Sequence, residues 1–205
     1  MTRQAHWERV YSSNPPDKVG WYTPHLQISL QWIKECSLSR GAPIIDVGGG
    51  ASTLVDDLLA EGYRSITVLD LSGAALAVAK KRLGEKAKAV TWLEGDITDV
   101  DLPAAYYDLW HDRAVFHFLT APEDRRQYLS KLSEATKPGS HLLIATFSPE
   151  APPRCSGLPV ERYSADDLGK VLGSRFELKR QRHELHITPG GVEQMYLYCH
   201  FERIA

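Results

Sequence analysis

Short apolar runs recur along this chain, each separated from the next by a longer stretch of mixed polarity. Five runs before residue 148 have the composition of buried strands: 43–47, 65–70, 89–93, 107–111 and 141–147. The stretches between most of these runs are long enough for the helical crossovers that join parallel strands. The alternation therefore predicts an α/β fold built around a mostly parallel sheet.

Helices are predicted over residues 52–61, 73–83 and 122–136. The third begins with Pro122, Glu123 and Asp124 and ends before Lys137-Pro138-Gly139, which are typical start and stop signals. A proline-rich loop follows residue 148, and residues 163–167 read as a capped helix start. Residues 176–187 and 194–203 then predict an antiparallel hairpin that completes the sheet.

Length and composition favour one ordinary globular domain. The 205 residues are 43% hydrophobic and 24% charged, and the formal net charge is -2, which gives no general attraction to nucleic acid or anionic membranes. The start lacks an apolar signal segment, no long apolar run occurs, and the three cysteines form no C-x-x-C pair, so we expect a cytoplasmic protein. The eight histidines show no metal-ligand spacing, so no metal is predicted.

A glycine turn follows the first predicted strand. Asp46 lies in that strand, and Gly48, Gly49 and Gly50 lead from it toward the next helix. Glycines allow a tight turn and a close approach of a nucleotide to the backbone. The third glycine of the dinucleotide-binding fingerprint is replaced by Thr53, which weakens an interpretation as a nicotinamide or flavin site.

An acidic residue lies at or just after the end of each of the next two predicted strands. Asp70 comes 22 residues after Gly48, where a carboxylate can accept both ribose hydroxyls of an adenosine ligand. Asp96 follows the third strand, with Ile97 beside it to pack on an adenine ring. Because ligands bind at the carboxyl ends of such strands, the three elements together predict an adenosine-containing cofactor.

In these motifs the chain resembles the class I S-adenosylmethionine-dependent methyltransferases. The resemblance implies a single Rossmann-like domain with a seven-stranded sheet and an antiparallel last strand. It also implies that Asp46 and the glycine loop hold the methionine part of S-adenosylmethionine, Asp70 the ribose, and Asp96 with Ile97 the adenine. Further candidates for cofactor contact flank these positions: Ser52, Leu71 and Ser72.

The end of the fourth strand is where this family places its reacting groups. Trp110-His111-Asp112-Arg113 is similar to the Trp-Asp-Arg stretch of thiopurine S-methyltransferases, with His111 inserted. His111, Asp112 or His117 could serve as a base, and Asp112 or Arg113 could orient a substrate. The alternative is that Asp112 and Arg113 form a helix-capping ion pair and His117 lies on a helix surface.

Residues 1–40 precede the first strand, and we expect them to form a helical lid over its carboxyl end. Residues 41–148 would form the cofactor-binding core, and residues 149–205 a substrate-side segment. Trp21 and Tyr22 are candidates for cofactor contact, although large N-terminal aromatics such as Trp7 equally suit simple packing. Cys155 falls in a loop that should face the same end of the sheet.

The sequence favours methyl transfer to a small molecule, with a thiol or another soft nucleophile as the acceptor. Protein lysine methylation is the alternative among enzymes. A sensor or partner protein that binds the cofactor without turning it over is the alternative of another class. S-adenosylhomocysteine would be the product of turnover.

Overall fold

Seven strands form one sheet in the computed structural model, which describes residues 2–204; Met1 and Ala205, the ends of the predicted domain, lie outside the described residues. The sheet strands are β1 (Ile44–Val47), β2 (Ile66–Asp70), β3 (Val90–Glu94), β4 (Tyr107–Arg113), β5 (Thr136–Phe147), β8 (Phe176–Ile187) and β9 (Glu193–Arg203). Their order is β3-β2-β1-β4-β5-β9-β8, and β9 alone runs opposite to the other six strands. This confirms the predicted sheet and its terminal hairpin.

Six α-helices are present among residues 2–204. They are α1 (Arg3–Ser13), α2 (Gln27–Glu35), α3 (Leu54–Ala60), α4 (Gly73–Leu83), α5 (Pro122–Ala135) and α6 (Ala165–Leu172). The predicted cap of α6 is present, because the Ser164 hydroxyl and the Asp167 carboxylate form a reciprocal capping box. The elements agree with the sequence patterns to within a few residues at most ends.

Two features differ from the sequence prediction. β5 begins at Thr136, five residues earlier than expected, because Thr136 pairs with Tyr107 before the register shifts and His141 pairs with Leu109. The proline-rich loop also contains a small ribbon of β6 (Arg154–Cys155) and β7 (Leu158–Pro159), which composition did not reveal. Neither difference changes the order of the sheet.

The N-terminal 40 residues do not act as one unit. Trp32 and Ile33 of α2 are buried in the apolar core on one face of the sheet. In contrast, α1 has no fully buried residue. α2 is therefore part of the core, and only the residues before it remain candidates for the predicted lid.

The core lies on both faces of the sheet. Ile44 packs with α2 and α3 on one face, whereas Ile45 packs with Trp110 and Tyr128 on the other. This alternation follows from the period of two residues in a strand. In residues 2–204, no helix is long and apolar enough to cross a membrane.

Candidate active site

The glycine turn after β1 opens the site at the carboxyl ends of the strands. Gly48 has φ +69° and Gly50 has φ +33°, a region that side chains with a Cβ rarely adopt. A Cβ on Gly48 would lie 2.0 Å from Val115 Cγ2, and one on Gly49 would lie 2.5 Å from Asp46 Oδ2. The turn therefore needs glycine both for its backbone conformation and for its close approach to neighbouring side chains.

Asp70 closes β2 as a buried carboxylate beside this turn. Its Oδ1 accepts a hydrogen bond of 2.8 Å from the Ser72 backbone N–H, and a Cβ on Gly50 would lie 2.5 Å from its Oδ2. Burial raises the pKa of Asp70 to about 7, and the charges of Asp46 and Glu8 add to this shift. A carboxylate in this position gains from hydroxyl donors, as a bound ribose would supply.

Asp96 lies after β3 at the same edge of the sheet. Its Oδ1 accepts hydrogen bonds from the Thr98 backbone N–H at 3.0 Å and from the Thr98 hydroxyl at 2.7 Å. Its Oδ2 accepts a bond of 2.9 Å from Arg3 of α1, which also bridges to Asp124. Asp96 is thus held in place by its own loop and by the N-terminal helix.

The helix α1 lies over this edge and is tied to it by polar contacts. Besides the Arg3 bridges, the Glu8 carboxylate accepts hydrogen bonds from the Ser72 hydroxyl at 2.7 Å and from the Ala74 backbone N–H at 3.3 Å. Trp7 packs edge-to-face on Trp21 and Phe118, with ring centroids 5.3 and 5.0 Å apart. These contacts place residues 3–13 as a cover over the site.

Two cavities meet at the glycine turn beneath this cover. The first, of about 770 Å³ including space open to solvent, is lined by Asp70, Leu71, Asp96 and Ile97 and extends to Arg113 and Cys155. The second, of about 530 Å³, is lined by Asp46, Gly49, Tyr22 and His111. Gly48, Tyr11, Trp21 and Arg113 line both. The two cavities therefore share a wall of four residues.

Most of the predicted cofactor residues meet at these cavities. The first is lined by Gly48, Asp70, Leu71, Asp96, Ile97 and Trp21, and the second by Asp46, Gly48, Gly49, Ser52, Trp21 and Tyr22. Gly50 lies so close to the Asp70 carboxylate that a Cβ there would overlap it. Ser72 is a buried helix cap whose hydroxyl accepts a hydrogen bond from the Ala75 N–H and donates one to Glu8. These two residues shape the site without lining it.

His111 is buried in a chain of hydrogen bonds at the floor of the second cavity. Its Nδ1 lies 2.6 Å from Asp46 Oδ1 and its Nε2 lies 2.8 Å from the Ser29 hydroxyl. The Nδ1 can donate to the carboxylate while the Nε2 accepts from the hydroxyl, which satisfies both contacts. With both nitrogens engaged, His111 orients Asp46, and Ser29 is a partner that no sequence signal indicated.

Asp112, one of the predicted catalytic residues, is fully buried away from both cavities. Its carboxylate accepts hydrogen bonds from the Tyr128 hydroxyl at 2.7 Å and from the backbone N–H groups of Val115 and Phe116 at 3.0 and 3.2 Å. Burial raises its pKa to about 6. The structure therefore corrects the prediction: Asp112 caps the turn after β4, because its side chain faces the core beside α5.

His117 does not reach the cavities either. It is fully buried, its Nδ1 accepts a hydrogen bond of 3.1 Å from the Phe147 backbone N–H, and its ring packs against Phe118 and Phe147. Burial lowers its pKa to about 3, which keeps it neutral. The predicted surface position and the predicted role as a base are both replaced by a position in the core.

Arg113 points the other way and lies in the wall between the two cavities. Its Nε donates to the Tyr198 hydroxyl at 2.8 Å, its Nη1 donates to the Trp21 carbonyl at 3.1 Å, and its guanidinium carbon lies 4.4 Å above the Tyr196 ring. Burial alone would lower its pKa, but the neighbouring tyrosines and Glu184 raise the pKa. Arg113 is thus a fixed cation, and no Asp112–Arg113 ion pair is present among the described side chains.

Residues 44–139 match the family model described as a methyltransferase domain. The chain is 23% identical over 169 residues to EEF1A lysine methyltransferase 2 of Danio rerio, which covers 80% of this chain and 66% of that protein. It therefore spans slightly less than two thirds of that relative's length.

Solved structures show the same fold at low sequence identity. One, from work on the conversion of a disulfide bond into a thioacetal group during echinomycin biosynthesis, has a TM-score of 0.79 at 19% identity and covers 99% of this chain and 92% of that one. The 1,6-didemethyltoxoflavin-N1-methyltransferase of Burkholderia thailandensis, with bound S-adenosylhomocysteine, has a TM-score of 0.67 at 20% identity and covers 86% and 77%.

These findings show that residues 44–139 match a methyltransferase domain and that the chain has the fold of solved methyltransferases. The residues fit S-adenosylmethionine, because Gly48 and Gly49 line the cavities without side chains and Asp70 is a buried carboxylate that lines the first cavity. The finer likeness to thiopurine S-methyltransferases gains no support, since Trp110 and Asp112 lie in the core and only Arg113 lines the cavities.

Proposed function

We propose that this protein transfers a methyl group from S-adenosylmethionine to a small acceptor that reacts as an anion, with a thiol as the favoured class. The observation that carries the proposal is the position of Arg113 in the wall of both cavities. Its Nη2 is buried and has no hydrogen-bond partner among the described residues, and the nearest carboxylate oxygen, of Glu184, lies 4.0 Å away. A buried guanidinium N–H of this kind suits an anionic oxygen or sulfur atom.

The ionisable groups of the first cavity support the same acceptor class. Asp70 and Asp96 lie at the predicted ribose and adenine positions. Near Arg113, the remaining candidates for a general base are Tyr11 and Cys155. Burial raises the pKa of Tyr11, and it raises the pKa of Cys155 to about 11. No described residue that lines this part of the cavity is therefore a suitable general base. An acceptor that loses its own proton near neutral pH, such as a thiol, requires none.

The protein's contribution to catalysis would be alignment and exclusion of water. Bound S-adenosylmethionine would supply an electrophilic methyl group for an in-line displacement. Asp46, fixed by His111, would hold the amino acid end, while Trp7, Trp21 and Phe118 would close the cavity from solvent. Arg113 would bind the anionic acceptor and hold it beside the cofactor.

Two structural neighbours agree with small acceptors. The Burkholderia thailandensis enzyme is an N1-methyltransferase that was solved with 1,6-didemethyltoxoflavin bound. The structure from echinomycin biosynthesis concerns the conversion of a disulfide into a thioacetal, which is chemistry at sulfur. Both support a small-molecule acceptor here without identifying it.

Protein lysine methylation is the second candidate. It is favoured by the similarity to an EEF1A lysine methyltransferase and by the aromatic rings of Trp7, Trp21 and Phe118, whose faces attract cations. The buried charge of Arg113 opposes it, because a lysine ammonium group in the same cavity would be repelled. We rank lysine methylation second because repulsion by the buried Arg113 outweighs attraction by the partly exposed aromatic faces.

The test is a screen with radiolabelled S-adenosylmethionine against thiols, selenols, phenols, carboxylic acids, small amines and a protein extract. We expect label in a thiol or another acidic small molecule. Label only in polypeptide would replace this proposal with lysine methylation. Cofactor binding by calorimetry with no label transferred to any acceptor would indicate a sensor instead.

Variants of Arg113 test whether this residue binds the acceptor. We expect Arg113→Met to raise KM for the acceptor about tenfold or more while the Kd of S-adenosylmethionine changes less than about threefold, and Arg113→Lys to recover part of the loss. Arg154→Met, on the exposed end of the β6–β7 ribbon, is the matched control. An unchanged KM in Arg113→Met would remove Arg113 from the acceptor site.

A further inference from the structure

A second cluster of ligand-type side chains lies at the opposite end of the sheet from the cavities. Cys36 ends α2, His141 lies near the start of the paired part of β5, and His200 lies on the neighbouring strand β9. His141 and Phe147, at the cavity end of β5, are six residues apart, which is about 20 Å along a strand. The cluster is therefore separate from the methyl-transfer site.

The three ligand atoms converge on one point. His200 Nε2 lies 3.0 Å from His141 Nδ1 and 3.8 Å from Cys36 Sγ, and all three atoms lie within 4.8 Å of one another. In a tetrahedral zinc site with ordinary bond lengths, nitrogen atoms are separated by about 3.3 Å and nitrogen and sulfur atoms by about 3.6 Å. The two separations from His200 need shifts of only a few tenths of an ångström, and the Cys36–His141 separation must close by at most about 1.2 Å.

We infer that Cys36, His141 and His200 form a binding site for a divalent metal ion of the zinc type, distinct from the methyl-transfer site. One thiolate and two imidazoles are ligands that zinc prefers, and a solvent molecule would complete the tetrahedron. Cys36 and His141 are partly exposed, which leaves a path for entry of the ion. His200 is buried and forms the inner side of the site.

The surrounding charges suit a divalent cation. Glu202 pairs with Lys179, which also contacts Glu177, and Glu35 pairs with Arg180. The carboxylates of Glu35 and Glu202 balance the charges of Arg180 and Lys179, so a Cys36 thiolate would leave one negative charge that a bound cation would offset.

Such an ion would tie α2 to the middle of the sheet. α2 carries Ser29, which contacts His111 of the methyl-transfer site, and Trp32, which packs on Tyr198. The ion would add a cross-link between this helix and strands β5 and β9. We expect zinc to raise the unfolding temperature without taking part in methyl transfer.

The experiment uses the full chain, stripped of metal with a chelator and titrated with Zn²⁺ in competition with a chromophoric chelator. We expect one tight site per chain, at least about 100-fold weaker in Cys36→Ser and in His200→Asn. Cys199→Ala is the matched control, because Cys199 precedes His200 on β9 but lies outside the cluster. Its zinc affinity should match the wild type.

A second readout tests the ligand set directly. With Co²⁺ in place of Zn²⁺, thiolate coordination gives a near-ultraviolet charge-transfer band that should be present in the wild type and in Cys199→Ala and absent in Cys36→Ser. Calorimetry with S-adenosylmethionine shows that each variant is folded. Binding weaker than about 10 µM, or tight binding that persists in Cys36→Ser and His200→Asn, would overturn the assignment, whatever the outcome of the acceptor screen.

Discussion

The two ends of the first cavity are assembled in different ways. At the proposed cofactor end, Gly48, Asp70 and Asp96 each lie at or within two residues of the end of a strand, and those strands are adjacent in the sheet. At the proposed acceptor end, Arg113 comes from β4 and Cys155 from the small ribbon, while the rings that cover them come from α1 and the segment after it. One end is built from local motifs and the other from distant segments.

Two neighbouring residues on β4 show why a local motif does not identify the residues that face a cavity. Asp112 and Arg113 are consecutive, so their side chains emerge on opposite faces of the sheet. Asp112 faces the core and binds the backbone of the following turn, whereas Arg113 faces the cavities. A motif can place both residues at the correct strand end without telling which one faces the ligand.

The largest effect is expected at the glycine turn. Gly48→Ala should weaken S-adenosylmethionine binding at least about 100-fold, because the left-handed backbone costs about 1–2 kcal/mol and the new Cβ would collide with Val115. Gly41→Ala is the control, since a Cβ at Gly41 meets no atom within 4 Å. Calorimetry on both variants decides, and wild-type affinity in Gly48→Ala would remove the turn from the cofactor site.

A smaller loss of S-adenosylmethionine affinity is expected from Asp70→Asn. Loss of charge-assisted hydrogen bonds to the ribose should weaken S-adenosylmethionine binding about 10- to 100-fold. Asp101→Asn, an exposed acidic residue on a loop, serves as the control. Equal affinity in the Asp70 and Asp101 variants would contradict the proposed ribose position.

The same substitution should have the opposite effect on the ligand-free protein. Because the pKa of Asp70 is raised to about 7 in the folded state, the folded chain holds a proton that the unfolded chain loses near pH 4. This contribution to stability is therefore full below about pH 4 and is lost as pH rises to about 7. At pH 8, Asp70→Asn should unfold at a higher temperature than wild type, and by calorimetry this gain should vanish at pH 4.

The cover over the cavities is expected to matter for turnover more than for stability. Deleting residues 2–14 should lower kcat/KM about tenfold or more, since water would reach the reacting atoms, while the unfolding temperature should fall only a few degrees because α1 has no fully buried residue. Steady-state kinetics and thermal unfolding test this. Full activity in the truncated chain would show that α1 is not a functional lid.

The smallest effect on activity is expected at Asp112. Asp112→Asn should lower the free energy of unfolding by about 1–3 kcal/mol, because it removes acceptors for buried donors, while kcat changes less than about threefold. Denaturant unfolding and initial rates measure the two quantities. A loss of kcat of about 100-fold in a variant of normal stability would restore Asp112 as the base.

Sequence reasoning predicted the sheet and most of the cofactor end because both depend on local patterns. The β8 and α4 bounds agree with the prediction at both ends, and Asp46, Asp70 and Asp96 were located from their positions at strand ends. It could not identify Arg3 or Glu8, whose partners are at least 64 residues away in the chain. Nor could it join Cys36 to His200, which lie 164 residues apart.

The sequence by itself therefore determined the strand segments, the glycine turn and the class of cofactor, since hydrophobic period and backbone requirements are properties of short segments. Only the tertiary structure decided that Asp112 and His117 are buried, that Arg113 faces the cavities and that α1 covers them. The physical reason is that burial and charge environment depend on contacts between distant segments. Those contacts form only when the sheet and its helices pack.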